Sequence, residues 1–405
     1  MKILIVTPRF YPEPFAINNV AFSLFNMGHE VTVLTGRASY GDYSFYNDYP
    51  FKKEETINGV KVIRYKERIR KKGIISLVLN YISTWRQSRK AFKHLSTNYD
   101  LVISHVISPI FILSGVNKFC KKHKIFHLHF AVDLFPESFV ISGYFKKNSF
   151  FYKLLKKISI SYYQKTDVIT FSSPLGKEYF NDYLGLDKPV YTVYQPTLIS
   201  RPELSEIKKQ YRVNGKTNLL YCGSIHPHNC LDKLLLALAD YKDDFTLTIV
   251  GGGLNDKLKN IIKEKKLDGV VKVVGRVTAN DTRPFYKDAD VILNLLEAND
   301  STKYYIPQKV IESLMYGRPI LALMSGAGST LLKEAGHNII FNDSSISSFK
   351  EALLKVRDLK NEKLEKIGEE NRGYYDNHPQ FKSEETAKIL LDIYQKEKGV
   401  KAWKF

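Results

Sequence analysis

Cysteine is scarce. The chain has three in 405 residues, Cys120, Cys222 and Cys230, in no paired spacing. That excludes a disulfide framework or a cysteine zinc site as its organising feature, and it fits a reducing compartment. Long apolar runs are also missing. None approaches the roughly 20 residues of a membrane-spanning helix, so the chain is not expected to cross a bilayer. The start, Met1-Lys-Ile-Leu-Ile-Val-Thr-Pro, lacks the basic region, apolar core and small-residue cleavage site of a signal peptide. It reads as a first buried strand. No low-complexity segment or short repeat appears. Acidic residues are in deficit, 42 against 61 lysines and arginines, for a net charge of +19. The expected partner is therefore anionic: a phosphorylated ligand, an acidic lipid or nucleic acid. A lysine-rich proteome would give the same balance. No recognition motif for nucleic acid accompanies the charge, and none is expected to bind.

What is present describes a globular protein, 44% apolar and 25% charged. The length is too great for one core and predicts two domains. Strand and helix patterns alternate throughout. In the first half strands are expected at Ile3–Thr7, Glu30–Thr35, Lys61–Arg64, Leu101–Ser104, Ile125–Phe130, Val168–Ser172 and Val190–Val193. Helices are expected at Asn19–Met27, Ile74–Leu95 and Ile110–Lys121. A second series follows, with strands at Asn218–Cys222, Thr246–Val250, Val271–Val274, Val291–Leu295, Ile320–Leu323 and Ile339–Phe341. Helices fall at Leu231–Leu238 and Gln308–Met315. The strands are apolar on both faces, as in a parallel sheet covered by helices. The fold class is thus α/β, with two Rossmann-like doubly wound domains facing a central cleft. The boundaries read as 1–195, 196–385, and a last helix within 386–405 that crosses back to the first domain. Gln195–Asn214, with Pro196 and Pro202, reads as the linker.

The most informative segment is 300–328. Lys309 and Glu312 share one face of a helix near its N-terminus. A cation there opposes the helix dipole unless an anion compensates it. The pair suits a nucleotide, with phosphate on the lysine and amides and ribose hydroxyls on the glutamate. A solvated lysine and a capping glutamate are the plainer readings. Three glycine loops follow strands in the same domain: Gly223-Ser224-Ile-His-Pro-His-Asn, Gly251-Gly252-Gly253, and Ser325-Gly326-Ala327-Gly328-Ser329. Each alone can be a plain turn. Together with Lys309 and Glu312 they point to a phosphate site.

In the first half His127 and His129 alternate on a strand and share one sheet face. Buried, hydrogen-bonded histidines are the plain reading, and it suits His127; His129 stands nearer the strand end. Asp133 follows that strand, either as a turn residue or as a general base on a hydroxyl. Glu13 lies in the first strand–helix loop. Between Phe145 and Lys165, Phe151, Leu154, Leu155, Ile158 and Tyr162 share one helical face, with Lys153, Lys156 and Lys157 opposite. That pattern is a basic amphipathic helix. Its apolar stripe is expected to pack on the sheet, with contact to an anionic membrane as the alternative. Arg64, Lys66, Arg68, Arg70, Lys71, Lys72, Arg86, Arg89, Lys90 and Lys93, interleaved with Tyr81 and Trp85, form a second basic stretch.

Four segments carry a resemblance: Ile3-Leu-Ile-Val-Thr-Pro with Phe10-Tyr-Pro-Glu-Pro; Met27-Gly-His-Glu-Val-Thr-Val-Leu-Thr-Gly36; Asp133-Leu-Phe-Pro-Glu-Ser138; and Ile306-Pro-Gln-Lys-Val-Ile-Glu-Ser-Leu-Met-Tyr-Gly-Arg-Pro-Ile-Leu-Ala322. The chain resembles the GT-B-fold retaining glycosyltransferases of family 4, which build bacterial surface polysaccharides. The resemblance implies a nucleotide-sugar co-substrate, UDP- or GDP-linked, with no other cofactor and no metal. It implies a glycan or polyprenyl-diphosphate-linked acceptor, net retention, and a place in the cytoplasm or on the inner face of the membrane. Donor binding would fall to Gly223, Ser224, Arg276, Lys303, Tyr304, Lys309, Glu312, Gly326, Gly328 and Ser329. The acceptor side would comprise Glu13, Asn18, Asn19 and Glu137, and catalysis would rest on Asp133, His129 and Lys309. The departures are specific. Phe15-Ala-Ile-Asn18-Asn19 stands where the family has a glycine pair. The Gly223–Cys230 loop lacks the family's Arg and Lys that hold the diphosphate. Tyr304 occupies the place of a second glutamate. Two other readings remain beside the transferase: a non-catalytic donor-binding subunit and a nucleotide-sugar epimerase.

Overall fold

A computed structural model describes residues 1–37, 49, 51–69, 73–107, 110–203, 205, 207 and 210–402. Arg70, Lys71 and Lys72 of the basic stretch lie outside them, as does part of the linker. Two compact units emerge: Met1–Pro196 with Lys382–Phe405, and Thr197–Phe381.

The first unit holds eight strands: β1 Lys2–Val6, β2 Glu30–Thr35, β3 Glu54–Ile57, β4 Val60–Arg64, β5 Leu101–Val106, β6 Phe126–Ala131, β7 Val168–Phe171 and β8 Val190–Thr192. Their order is β3-β4-β2-β1-β5-β6-β7-β8. All neighbours run parallel except β3 and β4. The central strands are buried on both faces. One face packs on Ile17, Val20, Ala21 and Leu24 of the helix Ala16–Asn26, and on Ala387, Leu390, Ile393 and Tyr394 of the terminal helix Ser383–Ala402. The opposite face packs on Phe92, Val116, Phe119 and Cys120. β3, which forms a hairpin with the expected β4, was not among the expected strands. Asn58 and Gly59 both take positive φ (47° and 82°), the signature of a two-residue primed turn.

The second unit holds β9 Thr217–Cys222, β10 Phe245–Val250, β11 Val271–Gly275, β12 Val291–Leu295, β13 Ile320–Leu323 and β14 Ile339–Phe341. They form one parallel sheet in the order β11-β10-β9-β12-β13-β14. The order reverses at β9, between β10 and β12. In open α/β sheets ligands bind outside the carboxyl ends of strands at such a switch point. The Gly223 loop leaves β9 there.

Candidate functional site

Lys309 and Glu312 sit on the helix Gln308–Met315, which starts at Pro307 with no side-chain cap. Each is drawn out of water, yet they form no ion pair with each other among the described residues. The Lys309 Nζ donates to the Leu295 carbonyl at 3.3 Å and lies 4.8 Å from the Tyr221 ring centroid. Burial pushes the ammonium down to about 8. The Glu312 carboxylate accepts the Leu198 amide at 3.3 Å, and burial pushes it up to about 7. Among the described residues, the two opposite charges on this short helix thus hold a carbonyl, a ring face and an amide. Such groups are costly unless a ligand completes them.

The glycine loops close around this helix. A Cβ on Gly223 would stand 4.0 Å from the Lys309 Cδ. Gly251 (φ +147°) admits no side chain, because its Cβ would fall 1.9 Å from the Gly223 oxygen. Gly326 (φ +62°) opens the helix Gly326–Ala335 against the Lys303 backbone, where a Cβ would meet oxygen at 2.0 Å. The Ala327 amide bonds that oxygen at 2.9 Å. Gly328 packs beside the Tyr305 carbonyl, and the Ser329 hydroxyl turns back to Gly326. Much of the Gly223 loop's hydrogen bonding is internal. Gly223 N donates to Val250 O, Ile225 N to Gly252 O and His226 N to Asn229 Oδ1. The amide of Ser224 takes no part in that set among the described residues. His226 stacks on His228 (5.2 Å, 15°), and partial desolvation with nearby Lys309 pushes its imidazole below the usual histidine range. Arg276 follows β11 beside Gly252 (3.8 Å to a Cβ built there), and Lys303 lies over the ring of buried Tyr304 at 4.9 Å.

Two neighbours of Lys309 were not singled out from sequence. Tyr221 and Cys222 end β9, and burial raises the Cys222 thiol to about 11. Their position at the carboxyl end of a central strand was the available signal.

In the first unit most of the expected site residues have polar partners, although His127 Nδ1 and Asn18 Oδ1 have none among the described residues. Ser104 Oγ lies 2.7 Å from His127 Nε2 and 2.9 Å from His129 Nδ1, so both rings do face one side of the sheet. His129 is 2% exposed, and burial pushes both histidines down to about 3. Both rings are therefore neutral at physiological pH. Glu137 is buried and accepts hydroxyls from Tyr152 (2.6 Å) and Tyr179. Glu13 is buried beside Arg9. Asn18 donates to the Glu13 carbonyl at 2.7 Å, and Asn19 is half-buried on the same helix. Asp133 differs. No hydrogen bond or ion pair holds its carboxylate among the described residues, and burial pushes it up to about 7.

The amphipathic segment corrects an expectation. Its helix, Phe150–Tyr163, buries Tyr152, Ser159 and Tyr163. Only part of the apolar stripe packs inward: Leu155, Ile158 and Tyr162 are half-buried, whereas Phe151 (64%) and Leu154 (45%), with neighbouring Phe150 (75%), are exposed beside Lys153 and Lys157. The tyrosines displace it because Tyr152 reaches Glu137. The helix Ile74–Ala91 likewise exposes Ile75, Val78, Leu79 and Ile82. Arg64 does not join the exposed basic stretch. It is buried and donates to Glu55 (2.6 Å) and to the Tyr11 and Gly36 carbonyls.

Two such α/β units, each matched by a glycosyltransferase domain model, define the GT-B class of sugar-transferring enzymes. The model described as Glycosyltransferase Family 4 covers residues 16–197, and that described as Glycosyl transferases group 1 covers residues 216–358. The chain belongs to the GT-B glycosyltransferases of the family 4 type. Solved structures share the fold at low identity. Sucrose-phosphate synthase from Thermosynechococcus elongatus is 14% identical with a TM-score of 0.74, over 99% of this chain and 100% of that one. HepE from Anabaena, in complex with UDP-glucose, is 13% identical with a TM-score of 0.69, over 98% and 100%. WaaG, a glycosyltransferase involved in lipopolysaccharide biosynthesis, is 16% identical with a TM-score of 0.67, over 95% and 99%. No curated protein matches the chain in sequence.

Proposed function

We propose that this glycosyltransferase takes its sugar from a UDP- or GDP-linked donor bound in the second unit. It delivers the sugar, with retention, to a glycan or polyprenyl-diphosphate-linked glycan in bacterial surface polysaccharide synthesis. The observation that carries this reading is Lys309 and Glu312, without an ion-pair partner among the described residues, on one helix at the switch point of the sheet. Leaving-group diphosphate gathers negative charge as the glycosidic bond breaks, and a preformed cation in a water-poor site stabilises it. Lys309, with Lys303, Arg276 and the Ser224 amide near the glycine loops, serves that role. Glu312 accepts the ribose hydroxyls; Gly326, Gly328 and Ser329 admit the donor close to backbone. The HepE complex with UDP-glucose, in a protein of the same fold, supports a nucleotide-sugar donor. On the acceptor side Asp133, whose carboxyl sits near neutrality, orients or deprotonates the acceptor hydroxyl.

No helix among the described residues is long and apolar enough to cross a membrane. The exposed Phe150, Phe151 and Leu154 beside lysines support reversible docking on an anionic bilayer. A fully buried apolar side chain contributes roughly 1.5–3 kcal/mol and a lysine near an anionic surface about 1 kcal/mol.

One experiment tests the donor reading: calorimetric titration of UDP- and GDP-sugars, then donor hydrolysis by wild type and Lys309→Ala. Absence of binding by any nucleotide sugar would remove it. Binding without turnover in the presence of glycan acceptors would instead favour a donor-binding subunit, the reading that the cation-free Gly223–Cys230 loop supports. Co-sedimentation with phosphatidylglycerol vesicles, lost in Phe151→Ser/Leu154→Ser, tests docking.

A further inference from the structure

The first unit carries a cavity that the transferase reading leaves unused. It has a volume of about 400 Å³, between the helices Ile74–Ala91 and Leu113–His123. Arg89, Lys90, Lys93, Lys118, Lys122 and His123 ring it, over a floor of Phe92 and Phe119 whose rings lie 5.3 Å apart. Gly115 lets the helices approach this closely, since a Cβ there would stand 2.9 Å from the Phe92 ring. The cavity lies towards the amino ends of β5 and β6. Asp133 follows the carboxyl end of β6, roughly 20 Å away along a six-residue strand.

Basic residues in a last helical turn have a plain role, because they offset the helix dipole. Arg89 and Lys90 stand in one such turn, Lys122 and His123 in the other. Each helix end supplies only about half a negative charge, so two ends offset about one of the five full cations. None of the five forms an ion pair among the described residues; Arg89 stacks on Trp85 at 5.1 Å. One phosphate group carries about −1.5 to −2 charge, which leaves room for a second.

We propose that this cavity is an anion site for a diphosphate or a cluster of phosphates, separate from the donor site. The cations take the phosphate oxygens, and the phenylalanine floor takes the apolar part of the molecule that bears them.

Inorganic pyrophosphate is the probe, titrated into the full chain carrying Lys309→Ala so that the donor site is silenced. Saturable binding is expected to persist there. It should weaken at least ten-fold on adding K93Q/K118Q/K122Q, and stay unchanged on adding K263Q/K265Q/K272Q, which removes equal charge from the second unit. Phosphatidylglycerol vesicles present phosphate on a surface. Vesicle binding that falls in the first triple and competes with pyrophosphate assigns the site to a lipid headgroup; vesicle binding indifferent to that triple assigns it to a soluble phosphate. Loss of all saturable pyrophosphate binding in Lys309→Ala, or equal weakening by both triples, would overturn the proposal. Failure of nucleotide-sugar binding would leave it standing. Circular dichroism melts confirm that each variant is folded.

Discussion

Arg9 is a buried cation and Lys309 a half-buried one, one in each unit, and the chain treats them in opposite ways. Arg9 is paired with Glu67, which also accepts the Thr84 hydroxyl at 2.5 Å. Burial lowers the Arg9 guanidinium, and Glu67 with Glu13 more than restores it. Lys309 has a carbonyl, a ring face and no carboxylate partner among the described residues, and burial holds it near 8. A buried pair keeps its charges for structure; the half-buried Lys309, with no carboxylate partner among the described residues, is the cation we propose to hold its charge for a ligand. The same contrast separates Glu137, saturated by two tyrosines, from Glu312, which holds one amide.

Glu67→Ala should produce the largest effect. It strands the Arg9 guanidinium in the interior and is expected to cost about 3–5 kcal/mol of stability, read by urea melts. Lys309→Ala should lower turnover by about 10²–10³-fold while the melting temperature stays level or rises, since a desolvated cation is removed. A large loss of stability in Lys309→Ala would break the comparison, because the lysine would then be structural like Arg9.

Asp133→Asn sharpens it within the first unit. The folded carboxyl keeps its proton to about 7, against an ordinary value of 3.8. The native state therefore binds more protons between those values, and wild-type stability falls as pH rises through them. The asparagine variant should lack that slope and gain roughly 1–3 kcal/mol at pH 8 relative to wild type. Chemical melts at pH 4 and pH 8 test this; identical slopes would show that Asp133 is well solvated.

The covered parallel sheets were legible because β5, β6, β9 and β12 are apolar on both faces, whereas the strand order was not read from sequence. β3 was missed although Asn58-Gly59 announces a hairpin, since Glu54–Ile57 is a half-exposed edge strand without an apolar run. Lys309 and Glu312 were legible from their spacing and from the glycines around them. What periodicity does not convey is competition for the interior. In Phe150–Tyr163 a helical wheel favours burying Phe151 and Leu154, yet Tyr152 and Tyr163 go inward. A partner distant in sequence, Glu137, decides the rotation. The contact of His129 Nδ1 with Ser104 on a neighbouring strand was hidden for the same reason.

The finest test uses pH on donor binding. Lys309 loses its proton as pH rises through about 8, so donor affinity should fall above that point by about ten-fold per unit until the bound-state value is reached. Glu312 gains a proton as pH falls through about 7, which removes an acceptor for the ribose hydroxyls and weakens binding on the acid side. Affinity should therefore peak between about 7 and 8, and each limb belongs to one residue. Lys309→Arg carries a guanidinium that stays charged and should abolish the alkaline limb alone. Glu312→Gln should abolish the acid limb alone, at a cost of a few-fold in affinity. If either variant moved both limbs, the two charges would be acting as a coupled pair, and the contrast with Arg9 and Glu67 would fail.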